Sequence, residues 1–262
     1  MSLIKPFSGI RPKKKFAKQV TSPNLSYINN YKLNKKLNFI NLLNTSNINK
    51  SKKMLQNLYD KSDNSVLEIG SSGFIKDHIP NCTTSNLSKN DPMIDREENV
   101  FDLKLDEIFS NVVMIDIFHH LRFPKLALKN IHKILDNNGR LILIEPAMGW
   151  IPRIIYRLFH HEPNGFNLNI NWNDEPTQLP DNSDYFAAQA LSWRAFVKGE
   201  LKYHDLFRLK KIDCFSDFAY LGSGGFSFHS IYPEKFYPYL KNIDTILSKF
   251  AKKIFASRML IV

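Results

Sequence analysis

The first 59 residues of this 262-residue chain contain no aspartate and no glutamate. They hold 12 of the 36 Lys and Arg residues, leaving 24 against all 25 acids in residues 60–262, so the formal net charge of +11 belongs to the N-terminal segment and the remainder stands near −1. That distribution argues against a nucleic-acid substrate, because no basic face accompanies the rest of the chain. Cysteine is scarce: Cys82 and Cys214 lie far apart with no CxxC, which excludes a disulfide framework and a thiolate metal site and leaves two buried thiols as the expectation. No apolar run reaches the roughly 18 residues of a membrane-spanning helix, and Met1–Ile10 lacks the apolar stretch of a secretory signal. A soluble, cytoplasmic protein is expected. No internal repeat is present, and the missing GxGxxG counts against a dinucleotide-dependent dehydrogenase.

What is present is a globular composition. With 43% hydrophobic and 13% aromatic residues the chain can bury one full core, with appendages. Residues 1–59 read as a basic arm followed by cover helices: Leu33, Leu37, Ile40 and Leu43 fall at helical spacing, as do Met54, Leu55 and Leu58. Arg11, Lys13, Lys14, Lys15 and Lys18, beside Phe7 and Phe16, suit an anionic membrane surface, RNA or an acidic partner. The plainer reading is a solvated extension.

From Ser65 the pattern becomes regular. Val66, Leu67 and Ile69 form a buried strand entering the turn Gly70-Ser71-Ser72-Gly73. A weak strand near Cys82–Ser85, an acidic stretch from Asp91 to Asp106 and a strong strand at Val112–Ile115 follow. Pro124 opens a helix with Leu128, Ile131 and Leu135 on one face, which Asn137-Asn138-Gly139 ends before the strand Leu141–Ile144. Strands alternating with helices imply a parallel α/β sheet with right-handed crossovers. The rhythm fails from Pro146 to Leu191, where a lid with some helix is expected, in an insertion spanning 146–208. It returns with a strand near Leu209–Phe215, a helix carrying Phe236, Leu240, Ile243, Leu247 and Phe250, and a closing strand at Met259–Val262.

Three segments carry chemistry: Val66 to Gly73, with an acid and a small-residue turn; Asn111 to Leu121, ending in Phe118-His119-His120-Leu121; and Ile134 to Pro146, with Glu145 at its end. In this order the chain resembles the class I S-adenosylmethionine-dependent methyltransferases, most closely the type 11 subgroup, over about Ser65–Pro146. The resemblance implies a Rossmann-like, seven-stranded, mostly parallel, doubly wound sheet in residues 60–262 with a lid inserted after the fifth strand. It implies S-adenosyl-L-methionine as cofactor, with Glu68, Gly70, Ser71 and Gly73 cradling its amino-acid end and ribose, and Asp102 near its adenine with Asn99 as the competing alignment. Asp116 through His120, His119 included, would border the reactive methyl group. Asn86 stands where the family has an acid on the ribose hydroxyls; it keeps hydrogen bonding but loses a charge-assisted bond worth about 1–2 kcal/mol more. Ser72 replaces a usual Gly or Ala.

Methyl transfer from a sulfonium is an in-line displacement, so the protein mainly aligns acceptor and methyl. A hydroxyl acceptor needs a base, for which His119, His120, Glu145 and His161 are the candidates, His120 and His161 preferred. His120 can equally be a hydrogen-bonded core histidine. Adjacent histidines point apart on most backbones, so His160-His161-Glu162 is not read as a metal site. Lid aromatics, among them Trp150, Tyr156, Phe166, Trp172, Tyr185 and Trp193, would stack on an apolar or sugar acceptor or simply pack the cap. The expectation is a small or lipid-linked, possibly saccharide, acceptor; the rival is a non-catalytic methyltransferase-like scaffold.

Overall fold

The computed structural model describes residues 65–71, 79, 82–89, 91–160, 162–170, 172, 173, 176, 178, 185–223 and 230–262. The basic arm and cover helices expected in 1–59 lie outside the described residues, as do Ser72 and Gly73. Seven strands form one sheet: β1 (Val66–Ile69), β2 (Cys82–Asn86), β3 (Arg96–Glu97), β4 (Phe109–Ile115), β5 (Leu135–Pro146), β6 (Ile212–Phe215) and β7 (Arg258–Ile261). Their order is β3-β2-β1-β4-β5-β7-β6. The first five are mutually parallel, and β7 runs antiparallel to both β5 and β6. This is the α/β, Rossmann-like, mostly parallel sheet expected from the sequence.

Apolar residues line both faces because both are covered. On β1, Leu67 and Ile69 join a large cluster with Val112, Met114, Leu141 and Leu143, while Val66 turns to the opposite face with Val113, Ile142 and Leu260. Helix α1 (Pro124–Lys133) packs Leu128 and Ile131 into the large cluster, at about 1.5–3 kcal/mol for each side chain buried. Pro124 at its first turn needs no hydrogen bond there.

Three details differ from the sequence reading. Leu135 leaves the helix and pairs with Phe109, whereas the next pair is Asn111 with Arg140, so residues 136–139 bulge out of β5 instead of forming a separate turn. The acidic stretch contains the short edge strand β3, whose polar residues Arg96 and Glu97 hide it from hydrophobic periodicity. Helices α2 (Trp150–Phe159), α3 (Phe218–Gly222), α4 (Tyr237–Phe250) and α5 (Lys252–Phe255) are the other α-helices among the described residues. In α4 the buried face is Tyr237, Lys241 and Asp244; Ile243 and Phe250 of the apolar stripe are exposed. The polar face wins because Asp244 accepts from the backbone N–H groups of Phe218 and Ala219 (2.7 and 2.8 Å), capping α3, and Lys241 pairs with buried Asp217 at 3.0 Å.

Part of the segment after β5 belongs to the core. Ala188, Leu191, Ala195, Phe196, Leu201 and Tyr203 pack with Phe118 and the strands, by way of a π-helical turn at Trp193–Val197. Gly149, between β5 and α2, has no room for a side chain: a Cβ there would lie 2.7 Å from the carbonyl oxygen of Ala256 and 2.9 Å from that of Ile254. Gly149→Ala is therefore expected to cost about 1–3 kcal/mol in urea unfolding by forcing α2 away from α5.

Candidate functional site

Five parallel strands deliver their C-terminal ends to one edge of the sheet, and the order reverses between β1 and β4. An open α/β sheet leaves a crevice at such a switch point, outside the carboxyl ends of the strands. The residues singled out from the sequence, where described, gather along this edge. Glu68 is the penultimate residue of β1 and the Gly70-Ser71 turn follows it, Asn86 ends β2, Asn99 and Asp102 lie past β3, Asp116 to His120 follow β4, and Glu145 is the penultimate residue of β5. Gly73 and His161 lie outside the described residues.

Glu68 is buried at 2% exposure, and its carboxylate accepts from the Ser71 hydroxyl. Burial pushes its pKa up to about 7, against the lowering effect of that hydrogen bond. Gly70 has φ +70°, the left-handed region that glycine enters freely, and the Ile117 side chain occupies the space beside it. The turn is pinned to β2: Ser71 N donates to Ser85 O (2.8 Å), and the Asn86 amide donates to Ser71 O (2.9 Å) while its oxygen accepts from Leu87 N (2.7 Å). Asn86 thus braces the turn, a job an aspartate lacks the donor to do. Asn99 and Asp102 share one turn, closed by Asp102 N donating to Asn99 O at 2.8 Å, so the two competing alignments occupy neighbouring positions. Asp102 is exposed and lies 3.3 Å from Lys104.

The segment after β4 is held by Glu145, which has no solvent exposure. Its Oε1 accepts from the N–H groups of Ile117 (2.9 Å) and Phe118 (2.7 Å). Its Oε2 accepts from His119 N (3.3 Å), His119 Nδ1 (2.8 Å) and Ser192 Oγ (2.9 Å). With every lone pair engaged, Glu145 is no general base. Asp116, just before, has φ 56°, and its carboxylate is paired with buried Arg258 and with Tyr220 OH at 3.1 Å. Its side chain is committed to that pair, so any cofactor contact there falls to its backbone.

His119 and His120, on a 3₁₀ turn, do not point apart; their rings lie side by side with centroids 4.1 Å apart. His119 is buried between carboxylates, with Glu145 on Nδ1 and Glu162 Oε2 3.4 Å from Nε2. Burial opposes its charge, but the two carboxylates outweigh it and push its pKa up to about 10. His120 moves the other way: burial and the neighbouring His119 charge hold it below its ordinary value. Its Nδ1 lies 3.0 Å from the Phe186 carbonyl, which can only accept, so the proton sits there and Nε2 keeps its lone pair. That nitrogen is 3.7 Å from Glu162 Oε1, with the His120 side chain 27% exposed against 3% for His119.

Glu162 is the residue whose importance the sequence hid. It is buried, receives the Tyr185 hydroxyl and the Gln189 amide, and faces both histidines. Gln189 and Ser192, from the segment after β5, had no signal, and Arg258 stands just before the expected closing strand, in the first position of β7. Most insertion aromatics pack rather than line an opening: Tyr156 bonds Ser257 O at 2.8 Å, Phe166 stacks on Arg153 and Trp172 on Arg194. Tyr185 alone of those named is beside His120, at 5.4 Å between ring centroids. His119, His120 and Glu162 each offer one atom within 4.8 Å of the others, a spacing that suits a metal. A proton on His119 already balances one of its two flanking carboxylates, and a metal would have to displace it.

Three solved structures of methyltransferases align with this chain. A S-adenosylmethionine-dependent methyltransferase from Clostridium acetobutylicum aligns over 95% of this chain and 96% of its own, at 13% identity and TM-score 0.40. The N-methyltransferase NodS from Bradyrhizobium japonicum, in complex with S-adenosyl-L-homocysteine, aligns over 44% and 72%, at 17% identity and TM-score 0.30. The glycopeptide N-methyltransferase MtfA, complexed with the same product, aligns over 37% of this chain at 13% identity and TM-score 0.29; the match spans about half of that protein, 49%. No protein-family model matches the chain, and no curated protein does.

A buried imidazolium between two carboxylates has a stability signature. Because the His119 pKa is raised from 6.5 to about 10, its contribution is fully present below pH 6.5 and is lost as pH rises through about 10. Thermal melts from about pH 8 to 10.5 should show this loss, and His119→Gln, which strands two buried carboxylates, should cost about 3–5 kcal/mol and flatten that pH dependence.

Proposed function

We propose that this chain is an S-adenosyl-L-methionine-dependent methyltransferase that methylates a hydroxyl of a small or lipid-linked acceptor, a saccharide being the class favoured. The observation that supports the reading is the convergence, at the β1/β4 switch point, of a buried carboxyl on a glycine turn with a neutral, oriented histidine. The fit to the cofactor rests on Glu68: a buried carboxyl with a pKa near 7 and one hydroxyl partner is completed by the ammonium of an amino-acid moiety. Gly70 and Ser71 would lie along that moiety, Asn86 would keep their turn in place, and Asp102 or Asn99 would meet the adenine end.

The cofactor supplies an electrophilic methyl on a sulfonium. The chain's residues do the rest. Glu145 fixes the backbone of 117–119, so that His119 is immobile and His120 projects to the crevice with Nε2 unprotonated. His120 Nε2 takes the acceptor hydroxyl's proton as attack proceeds, its lowered pKa keeping it neutral at working pH. Glu162, held by Tyr185, Gln189 and His119, faces the same opening and stabilises the imidazolium that forms. His161, the residue after His160, is retained only as a second candidate base.

A non-catalytic scaffold is the competing reading, favoured by Ile117 filling the space over Gly70 and by Asn86 in place of an acid. Calorimetry with S-adenosylhomocysteine separates the two. The enzyme reading expects binding that strengthens with pH, by about tenfold per unit below pH 7, as Glu68 loses its proton to meet the ammonium. Glu68→Gln should weaken binding and remove the slope, and His120→Asn should leave binding intact while abolishing turnover. No heat at millimolar ligand would support the scaffold.

A further inference from the structure

Helix α2 presents an apolar surface to solvent. Trp150 is 70% exposed, Ile154 52% and Leu158 66%, and with Ile151 and Arg157 they share one side of the helix at spacings of three and four. Neighbouring α5 continues it: the helices are in contact through Gly149, which lies against the backbone of Ile254 and Ala256, and exposed Ile254 stands beside the start of α2. A soluble surface rarely gathers so many large apolar side chains without a partner.

The two segments that build this corner carry charges of one sign. There is no Asp or Glu from Pro146 to His161, nor from Thr245 to the end of the chain at Val262. Arg157, Lys249 and Lys253 are exposed around the patch, and Lys252 adds a fourth base, paired with Asp213. An apolar helix face with a tryptophan at one end, rimmed by Lys and Arg and carrying no acid of its own, has the composition of a helix lying in the headgroup region of an anionic bilayer. A protein partner of ordinary surface would meet uncompensated like charges as often as opposite ones. No helix among the described residues is long and apolar enough to cross a membrane, so the contact is peripheral.

We infer that α2 and α5 dock this protein on an anionic lipid surface, with Trp150, Ile154 and Leu158 inserted among the lipids. The position couples to the site. The N-terminus of α2 follows Glu145 by a few residues, and its C-terminus leads through His160 to Glu162. A bilayer against α2 therefore brings lipid-borne substrate close to the His120 crevice, which deepens the lipid-linked half of the proposed function and rests on it for that consequence alone.

The full-length chain is tested by co-sedimentation with phosphatidylcholine vesicles, with and without phosphatidylglycerol, alongside light scattering and S-adenosylhomocysteine calorimetry in solution. The expected result is binding to the anionic vesicles with a blue shift of tryptophan emission that Trp150→Phe removes. Ile154→Ser with Leu158→Ser should reduce vesicle binding at least tenfold, and Arg157→Gln with Lys253→Gln should reduce it and its salt dependence. The product affinity should be unchanged in both. Absence of vesicle binding overturns the inference, as does binding unaffected by either pair, which would assign it to the basic segment 1–59. If the serine pair instead dissociates a dimer, the face is an interface between two copies and the inference falls. Loss of the product affinity in the parent chain would strike the methyltransferase reading and leave the membrane result standing.

Discussion

One carboxylate organises the functional edge of this protein. Glu145 is taken out of water at the end of β5 and receives five hydrogen bonds, three from the backbone N–H groups of 117–119, one from the His119 ring and one from Ser192. A buried charge is tolerable only when so satisfied, and each of the five donors comes from a segment that would otherwise be free to move. The first three fix the turn that leaves β4. The fourth sets the protonation of His119, and the fifth anchors the irregular insertion to the sheet.

From that anchor the rest of the site follows by charge balance. His119, made an imidazolium by Glu145, draws Glu162 to its other side, and Glu162 in turn gathers Tyr185 and Gln189. The positive charge on His119 and the burial of the turn both favour a neutral His120 beside it. Two adjacent histidines thereby hold opposite protonation states, one structural and one available for proton transfer, a division of labour set by surroundings and not by residue type. Asp116 contributes from the other side: its left-handed backbone, secured by Arg258 and Tyr220, makes the chain turn sharply enough for 117–120 to reach Glu145.

Much of the sheet was legible because parallel strands buried on both faces are continuous apolar runs, as at Val66–Ile69, Val112–Ile115 and Leu141–Ile144. β3 was not, since an edge strand of two polar residues has no hydrophobic signal. The stripe on α4 misled for a related reason: Phe236, Ile243 and Phe250 are exposed, and the side that packs is organised by Lys241 and Asp244, whose partners Asp217 and the start of α3 lie 24 to 26 residues earlier in the chain. At the site, Glu68, Gly70 and the His119-His120 pair were readable from their place at strand ends. Glu162 and Gln189 were not, because their role depends on where a long irregular segment returns to the sheet, which no local pattern encodes.

The Glu145–His119–Glu162 chain holds His119 charged and leaves His120 neutral at the crevice. Nitrogen NMR of the imidazole rings in the intact protein, followed against pH, tests it most directly. One histidine is expected to keep both ring nitrogens protonated up to about pH 10, a second to stay neutral with its proton on Nδ1 below its ordinary titration range, and Glu162→Gln to lower the first pKa. Ordinary titration of both histidines near pH 6.5 would contradict it.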